Sequence, residues 1–424
     1  MRPFRRVVLE ANRSSLIFRV ELMTADYVVI GGGVIGLSVA RELKRRFPGA
    51  RVVVLEKELR CGAHASTRNS GVLHAGFYYT ADSLKARFTR DGNRRLTEFC
   101  EERGLAIRKC GKLVVAKNES ELEGLDELLR RARVNGVQLE PVTEDEAKKI
   151  EPRVRTCGRA LFSPTTSTVN PSEVLGALER EVIDAGIELR LGEGFAGWRN
   201  GVVTTEKDSI ECGYVVNSAG LHADSVAQQF GFSQHYRILP FKGLYLYSSE
   251  PPGAFQTHIY PVPDLKQPFL GVHFTVTVDG RAKIGPTAIP AFWREHYGGF
   301  KNFKLWEMAD ICLRQLSLAL HADFDFRRLA LEEMKKQYAP YMVRQAARMA
   351  RGVRPGQYKT WGAPGIRAQL VDLRGPSLVM DFLLEGDARS LHILNAVSPG
   401  FTCAFPFAEH VCDRIDQYRG ESNS

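Results

Sequence analysis

The 424-residue sequence lacks any apolar run of the roughly 18–20 residues that a membrane-spanning helix needs; even Leu378 to Leu384 is interrupted by Asp381. It lacks a CxxC pair among its 8 cysteines and any Cys/His cluster with zinc spacing, so no structural metal is expected. Thiols scattered in this way fit a reducing compartment. Internal repeats and low-complexity linkers are also missing. With 44% hydrophobic and 25% charged residues, the chain reads as globular, not as disordered, collagen-like, coiled-coil or integral to a membrane.

What the sequence does have is a formal charge of +9. Arg2, Arg5, Arg6, Arg13 and Arg19 against Glu10 and Glu21 place a net +3 in residues 1–22. This stretch has no long apolar core of the kind a secretory signal carries. An alternative start is the expectation for it, with a targeting peptide and a basic arm as the other readings. A cytoplasmic protein is expected, or one peripheral on the inner face of a membrane. Lys335, Lys336, Arg344, Arg348 and Arg351 fall on one expected helix, 328–351, which reads as a solvated face or as a contact for anionic lipid. Nucleic acid has no support beyond charge, because no stacking motif, zinc knuckle or helix-turn-helix pattern accompanies it.

The length suggests two to three units or one discontinuous two-part architecture. Asp26 to Ile30 and Arg51 to Leu55 are continuous apolar runs, the pattern of strands buried on both faces of a parallel sheet. Between them Ile35, Val39 and Leu43 recur at helical spacing, so residues 26–56 form a βαβ unit. Helices are expected near 83–103, 120–135, 143–150, 172–186, 301–319 and 402–418. The segment 236–288 has short β-branched and aromatic runs with Pro and Gly breaks and reads as an antiparallel sheet. The expected fold is α/β plus α+β: a Rossmann-like nucleotide-binding domain with an inserted antiparallel-sheet substrate domain. Residues 24–107, 158–231 and 365–424 would build the first and 108–157 and 232–364 the second, after an extension over 1–23 expected to be disordered.

Gly31-x-Gly33-x-x-Gly36 directly follows the first strand and opens the helix, and Glu56 ends the second strand. Gly31 permits the tight turn, Gly33 the approach of backbone to a pyrophosphate, and Gly36 close helix–strand packing; Glu56 would accept ribose hydroxyls. The helix N-terminus offers free N–H groups and partial positive charge. A second match, Gly192-x-Gly194-x-x-Gly197, leads into the turn Arg199-Asn200-Gly201 and a β-branched run, so it reads as a hairpin. No second dinucleotide fingerprint remains.

Asn69 to Tyr79 (NSGVLHAGFYY), Cys110-Gly111-Lys112-Leu113, Phe241-Lys242-Gly243 and Ile259 to Asp264 (IYPVPD) stand in order along the chain. Gly285-Pro286, Gly365 to Gln369 (GIRAQ) and Asn395 to Gly400 (NAVSPG) follow them. With the N-terminal fingerprint, these motifs resemble the D-amino-acid-oxidase-like superfamily of FAD enzymes, and more closely the L-2-hydroxyglutarate dehydrogenase/oxidase family. The resemblance runs from about 25 to 418. It departs from that family at Thr287, where an Asn is usual, and at Phe401, Phe405 and Phe407, where small residues are usual.

The resemblance implies FAD as cofactor and hydride transfer from a 2-hydroxy acid to the flavin. It brings His74, His273 and Arg367 forward as the catalytic set. His74 is a base or a hydrogen-bond partner of the flavin; His273 is a substrate contact or a core residue. Arg367 has the fork that clamps a carboxylate, against the alternative of a surface ion pair. Lys242 and Tyr260 are candidates for the distal carboxylate and a polar orienting contact. Besides the glycine turn and Glu56, cofactor contacts are expected from Thr67, Arg68, Asn69, Ser70, Ala219, Gly220, Ser398, Pro399 and Gly400. The expected partners are a small anionic 2-hydroxy acid and an electron acceptor, which is a quinone, dioxygen or another flavoprotein. An FAD amino-acid or amine oxidase, a glycerol-3-phosphate-type dehydrogenase and a non-catalytic FAD-binding redox protein stand as alternatives.

Overall fold

The computed structural model describes residues 23–264, 270–322, 326–375 and 377–421. The extension expected over 1–22 lies outside them, as does Phe269, the first residue of an expected strand. Met23, expected in the extension, instead begins the first strand, Met23–Ile30.

That strand is the centre of a mostly parallel sheet. It pairs in parallel with Val52–Glu56 on one side and Ser209–Asn217 on the other. Glu188–Leu191 and Ser390–Asn395 extend the sheet in parallel beyond these two. Alternate residues face opposite sides, and both sides are covered. Val29 and Val54 pack under the helices Val34–Arg46, Leu84–Glu102, Pro171–Asp184 and Gly400–Glu421. Val28, Val53 and Val215 pack with Val203, Ile210 and Val226 on the reverse. Two-sided burial is why these strands are continuous apolar runs. The second glycine-rich match forms the antiparallel hairpin Phe195–Arg199 and Val202–Thr205, as its turn residues imply.

A second large sheet runs in the order Tyr358–Trp361, Leu246–Ser248, Ala282–Gly285, His273–Val276, His258–Pro261, Lys112–Val115, Arg159–Ser163 and Glu140–Thr143. It is not wholly antiparallel, since Lys112–Val115 pairs in parallel with His258–Pro261. Arg159–Ser163 lies in this sheet, beyond the boundary expected at 157. A separate ladder joins Tyr236–Gly243 to Gly365–Asp372 over eight antiparallel pairs, Tyr236↔Asp372 through Gly243↔Gly365. The two expected parts of the chain therefore share a sheet.

The basic helix expected over 328–351 is two helices, Phe326–Lys335 and Ala339–Ala347. Pro340 lies in the first turn of the second, where its missing N–H is not needed, and the extended Tyr338 caps that turn and separates the two helices. The cations disperse accordingly: Lys336 is buried on Glu333, Lys335 pairs with Glu332 at 2.6 Å, and Arg348 and Arg351 fall past the second helix. Phe405 and Phe407 do not crowd the cavity described below. They point into the helical layer, where Phe407 stacks on Phe382 at 4.5 Å and Phe405 meets Phe99 at 5.2 Å.

The tightest crossing in the first sheet is at the glycine turn. Gly31 has φ +106°, and a Cβ on Gly36 would stand 1.9 Å from the Gly31 carbonyl oxygen. Gly36→Ala should therefore lower stability by about 3 kcal/mol, read as a fall in the thermal unfolding midpoint. An unchanged midpoint would show that the helix moves freely off the strand.

Candidate active site

The turn after the first strand opens onto one cavity of about 1260 Å³, reaching from the nucleotide-binding sheet to the second sheet. At one end it is lined by Gly31, Gly33, Glu56, Ala219 and Gly220. Glu56 holds the turn as well as lining it: its Oε2 accepts from Gly32 N–H at 2.9 Å and its Oε1 from Glu58 N–H at 2.9 Å. Gly36 and Thr67 are behind the wall. Gly36 allows the close crossing, and Thr67 Oγ1 donates to the Gly62 carbonyl at 2.7 Å.

The middle of the cavity is lined by Arg68, Asn69 and Ser70. Asn69 shapes this loop by donating to the Ser66 carbonyl at 2.8 Å and accepting from Gly71 N–H at 2.9 Å. Arg68 donates to the Ala63 and Pro364 carbonyls at 2.9 and 3.3 Å and stacks its guanidinium on Tyr297 at 4.5 Å. Tyr297 belongs to a strap, residues 291–304, that crosses the cavity wall. Glu295 fastens the strap, accepting from His222 Nε2 at 3.0 Å and Asn302 Nδ2 at 2.7 Å and pairing with Lys57. These partners hold its carboxyl well below the usual range against the opposing effect of burial. A buried pair, Arg294 with Asp224 at 2.7 Å, ties the same strap to the helix Ala223–Gln229.

At the far end His74, Tyr245, Tyr260, His273 and Arg367 line the cavity, together with Ser398, Pro399, Gly400 and the first turn of the last helix. The accessible surface of His74 and Arg367 opens into the cavity, and protein surrounds both. Thr402 in that first turn accepts from His74 N–H at 3.2 Å, fixing the loop that carries His74. Arg367 reaches the cavity on the same side of its ladder as its cross-strand partner Phe241, which also lines it. Lys242 is one residue on and is not among the lining residues, although its cross-strand partner Ile366 is. Thr287 lines the cavity and is tied to the end of the strand Tyr236–Gly243, accepting from Leu244 N–H and donating to the Lys242 carbonyl, each at 3.0 Å.

Burial and then the neighbouring Lys112, His273, His258 and Arg367 hold the His74 imidazole well below its ordinary pKa. Burial likewise takes His273 down to about 3. His273 Nδ1 faces the Gly271 carbonyl at 2.8 Å, so it must carry the proton and leave the Nε2 lone pair free. His258 has the opposite tautomer: its Nδ1 accepts from Val276 N–H at 3.0 Å, and its Nε2 is 3.4 Å from Cys110 Sγ.

Two lysines behind this end had no role assigned from sequence. Lys283 donates to the Ser70 carbonyl at 3.2 Å and lies over Tyr245 at 4.6 Å; burial brings it to about 8. Lys112 is fully buried, and burial alone brings it to about 7. The signal for both was a lysine inside a strand whose other residues are all suited to burial, Lys112–Val115 and Ala282–Gly285.

The FAD dependent oxidoreductase family (DAO) matches residues 26–414. The chain belongs to this family. Among curated relatives, the L-2-hydroxyglutarate dehydrogenase of Escherichia coli (strain K12) is 34% identical over 400 residues, covering 92% of this chain and 93% of that protein. The mitochondrial L-2-hydroxyglutarate dehydrogenase of Homo sapiens is 34% identical over 415 residues, covering 92% and 89%. The FAD-bound L-alpha-glycerophosphate oxidase from Mycoplasma pneumoniae shares the fold, with a TM-score of 0.72, 19% identity, and 93% and 95% of the two chains covered.

FAD is the cofactor of the family, and the cavity suits it on the structure's own terms. A glycine turn bares main chain at one end, two helix N-termini line the wall, and the space runs on to the histidines without a break. Glu295→Gln removes the charge that fastens the strap. It should weaken FAD retention by about tenfold, measured as the flavin-to-protein ratio after gel filtration against FAD-free buffer. Full retention would show that the strap does not hold the cofactor.

Proposed function

We propose that the protein catalyses FAD-dependent oxidation of L-2-hydroxyglutarate, or a close 2-hydroxy dicarboxylic acid, to the 2-oxo acid. The names of its curated relatives support this reading. The observation that carries it for this chain is the distribution of charge around the cavity. The lining carboxylates Glu56, Glu58, Glu206, Glu295 and Glu307 all belong to the nucleotide-binding side or to the strap and the helix that follows it. The elements carrying His74, Tyr260, His273 and Arg367 contribute none. Arg367 in the wall, with Lys112 and Lys283 buried behind it and no lining anion at that end, suits a substrate that brings its own two carboxylates.

In this reading Arg367 takes the C1 carboxylate through its planar fork. His273 Nε2, the lone pair left by the Gly271 contact, accepts the hydroxyl proton. Its pKa, held low by burial, rises when a dianion arrives beside it. His74 and Tyr260 orient the hydroxyl and the carbon chain. The bound flavin supplies the acceptor for the hydride leaving C2. The last helix, whose N-terminus begins after Ser398 and Pro399, favours negative charge at that wall. Arg68 acts on the loop and the cofactor's phosphates, and Lys242 takes no part. The nucleotide-binding part and the substrate part are read as two lobes that share the 236–243/365–372 ladder. A separate acceptor, whether quinone, dioxygen or flavoprotein, reoxidises the enzyme.

We also infer a lipid contact, on a different surface from the one expected. Among the described residues no helix is long and apolar enough to cross a membrane. The helix Leu305–His321, however, exposes Trp306, Leu313 and Leu320 at seven-residue spacing, with Leu316 beside them. Trp306 is 84% and the preceding Phe300 83% exposed. Lys301 and Lys304 flank this apolar stripe, the arrangement of a helix lying in an anionic interface. Binding to vesicles containing phosphatidylserine is expected, and Trp306→Ser with Leu313→Ser should abolish it. Concentration-dependent dimerisation lost in the same variant would assign the stripe to a second copy instead.

L-2-hydroxyglutarate should bleach the flavin of the purified holoprotein under anaerobic conditions, and amino acids should not. Bleaching by an amino acid with release of ammonia would replace this reading with that of an amino-acid oxidase. His273→Asn should slow the reductive half-reaction by about a hundredfold. An unchanged rate would remove His273 as the base.

A further inference from the structure

Among the described residues Lys112 is the one lysine whose ammonium is wholly shut from water without a hydrogen-bond partner. Its Nζ is instead enclosed by aromatic faces: the ring centroids of Phe77, Tyr78 and Tyr260 stand at 4.6, 4.7 and 4.8 Å. Such a cage recovers part of the lost hydration of a cation but leaves its charge unneutralised. No carboxylate offsets the effect of burial, which brings its pKa to about 7. The ammonium form is therefore only partly populated near neutral pH and is favoured when an anion enters the cavity. A group held at that cost asks for a reason.

The cage shares a wall with the cavity. Tyr260, one side of it, lines the cavity and stacks on His273 at 3.8 Å with the rings 21° from parallel. Lys112 itself is not among the lining residues, so it does not touch a ligand there. It acts across one ring thickness, and it lowers the pKa of His74, His258 and His273 alike. Such a charge discriminates by the total charge of what enters, because a dianion gains from it roughly twice what a monoanion gains.

We propose that Lys112 is a positioning residue that makes the cavity select dicarboxylates over monocarboxylates, acting through the Tyr260–His273 stack by charge alone. This rests on the dicarboxylate reading above. It adds that the second negative charge is recognised by a sealed ammonium behind the wall as well as by groups in the cavity.

The test compares the binding of glutarate and butyrate to the holoenzyme, followed by the flavin difference spectrum, in the wild type and in Lys112→Met. Methionine keeps the unbranched stem and removes the charge. Glutarate should bind at least about tenfold more weakly to the variant, butyrate should change by less than about threefold, and the unfolding midpoint should not fall. Equal weakening of both ligands, or a lower midpoint, would show that the ammonium is structural and would overturn the proposal. Phe77→Leu opens the cage without touching the charge and should leave the preference in place. Loss of the preference there would assign it to the shape of the wall. A wild type that binds glutarate no better than butyrate would sink the dicarboxylate reading itself, whatever the variants do.

Discussion

Positive charge kept from water without a matching anion is the constraint that the inner end of this protein is built around. Removing an ammonium from water costs several kcal/mol even after relaxation, and here Lys112 and Lys283 are brought to the same region as three histidines. The surroundings answer with aromatic rings and carbonyls rather than carboxylates. Lys283 has the Ser70 carbonyl and the Tyr245 ring, and Lys112 has three rings. A carboxylate partner would have been cheaper for folding, but it would also have cancelled the field that an anionic substrate meets. Burial, reinforced by the same field, keeps His74 and His273 neutral, which is the protonation state a proton acceptor requires. Binding and base strength are therefore linked. Arrival of negative charge both relieves the cations and raises the histidines towards the range in which they take up a proton.

The opposite end obeys the opposite rule, since its charges are paired. Glu295 gathers His222, Asn302 and Lys57, and Arg294 is locked to Asp224. Networks of this kind contribute rigidity and register rather than large net stability. Their place in the structure fits that role: the strap they fasten is a part of the cavity wall that belongs to neither large sheet.

Much of this was legible in the sequence wherever a local pattern has a single physical cause. Two-sided burial wrote the parallel strands as apolar runs, and the crowded crossing wrote Gly31 and Gly36. The decoy at 192–197 was separable because a turn, not a helix, follows it. The failures have causes as definite. Charge counted along 328–351 ignored the break at Tyr338, which splits the helix and scatters its cations. Phe405 and Phe407 were placed by their nearness in sequence to Gly400, but a helix turns about 100° per residue and carries them to the far side. Lys242 stands in the same motif as Phe241, but only Phe241 and Gly243 of the three line the cavity. Lys112 stood in a quoted motif and received no role, because its significance lies in the rings around it, which come from Phe77, Tyr78 and Tyr260 and meet only in the fold.

That last point explains how distant segments make one rigid site. His74 is on a loop pinned by Thr402, His273 and Tyr260 on neighbouring strands of one sheet, and Arg367 on a ladder anchored at residues 236–243. None of these groups depends on a long free loop for its position. The Gly271 carbonyl fixes the His273 tautomer just before its strand begins, and Val276 N–H fixes that of His258 within the same strand. Two chemically identical side chains thus present opposite edges: one keeps its free lone pair on a residue that lines the cavity, and the other has both nitrogens engaged in the core. Which histidine can accept a proton is decided by two backbone groups five residues apart, and the chain fixes that choice when the sheet forms, before any ligand enters.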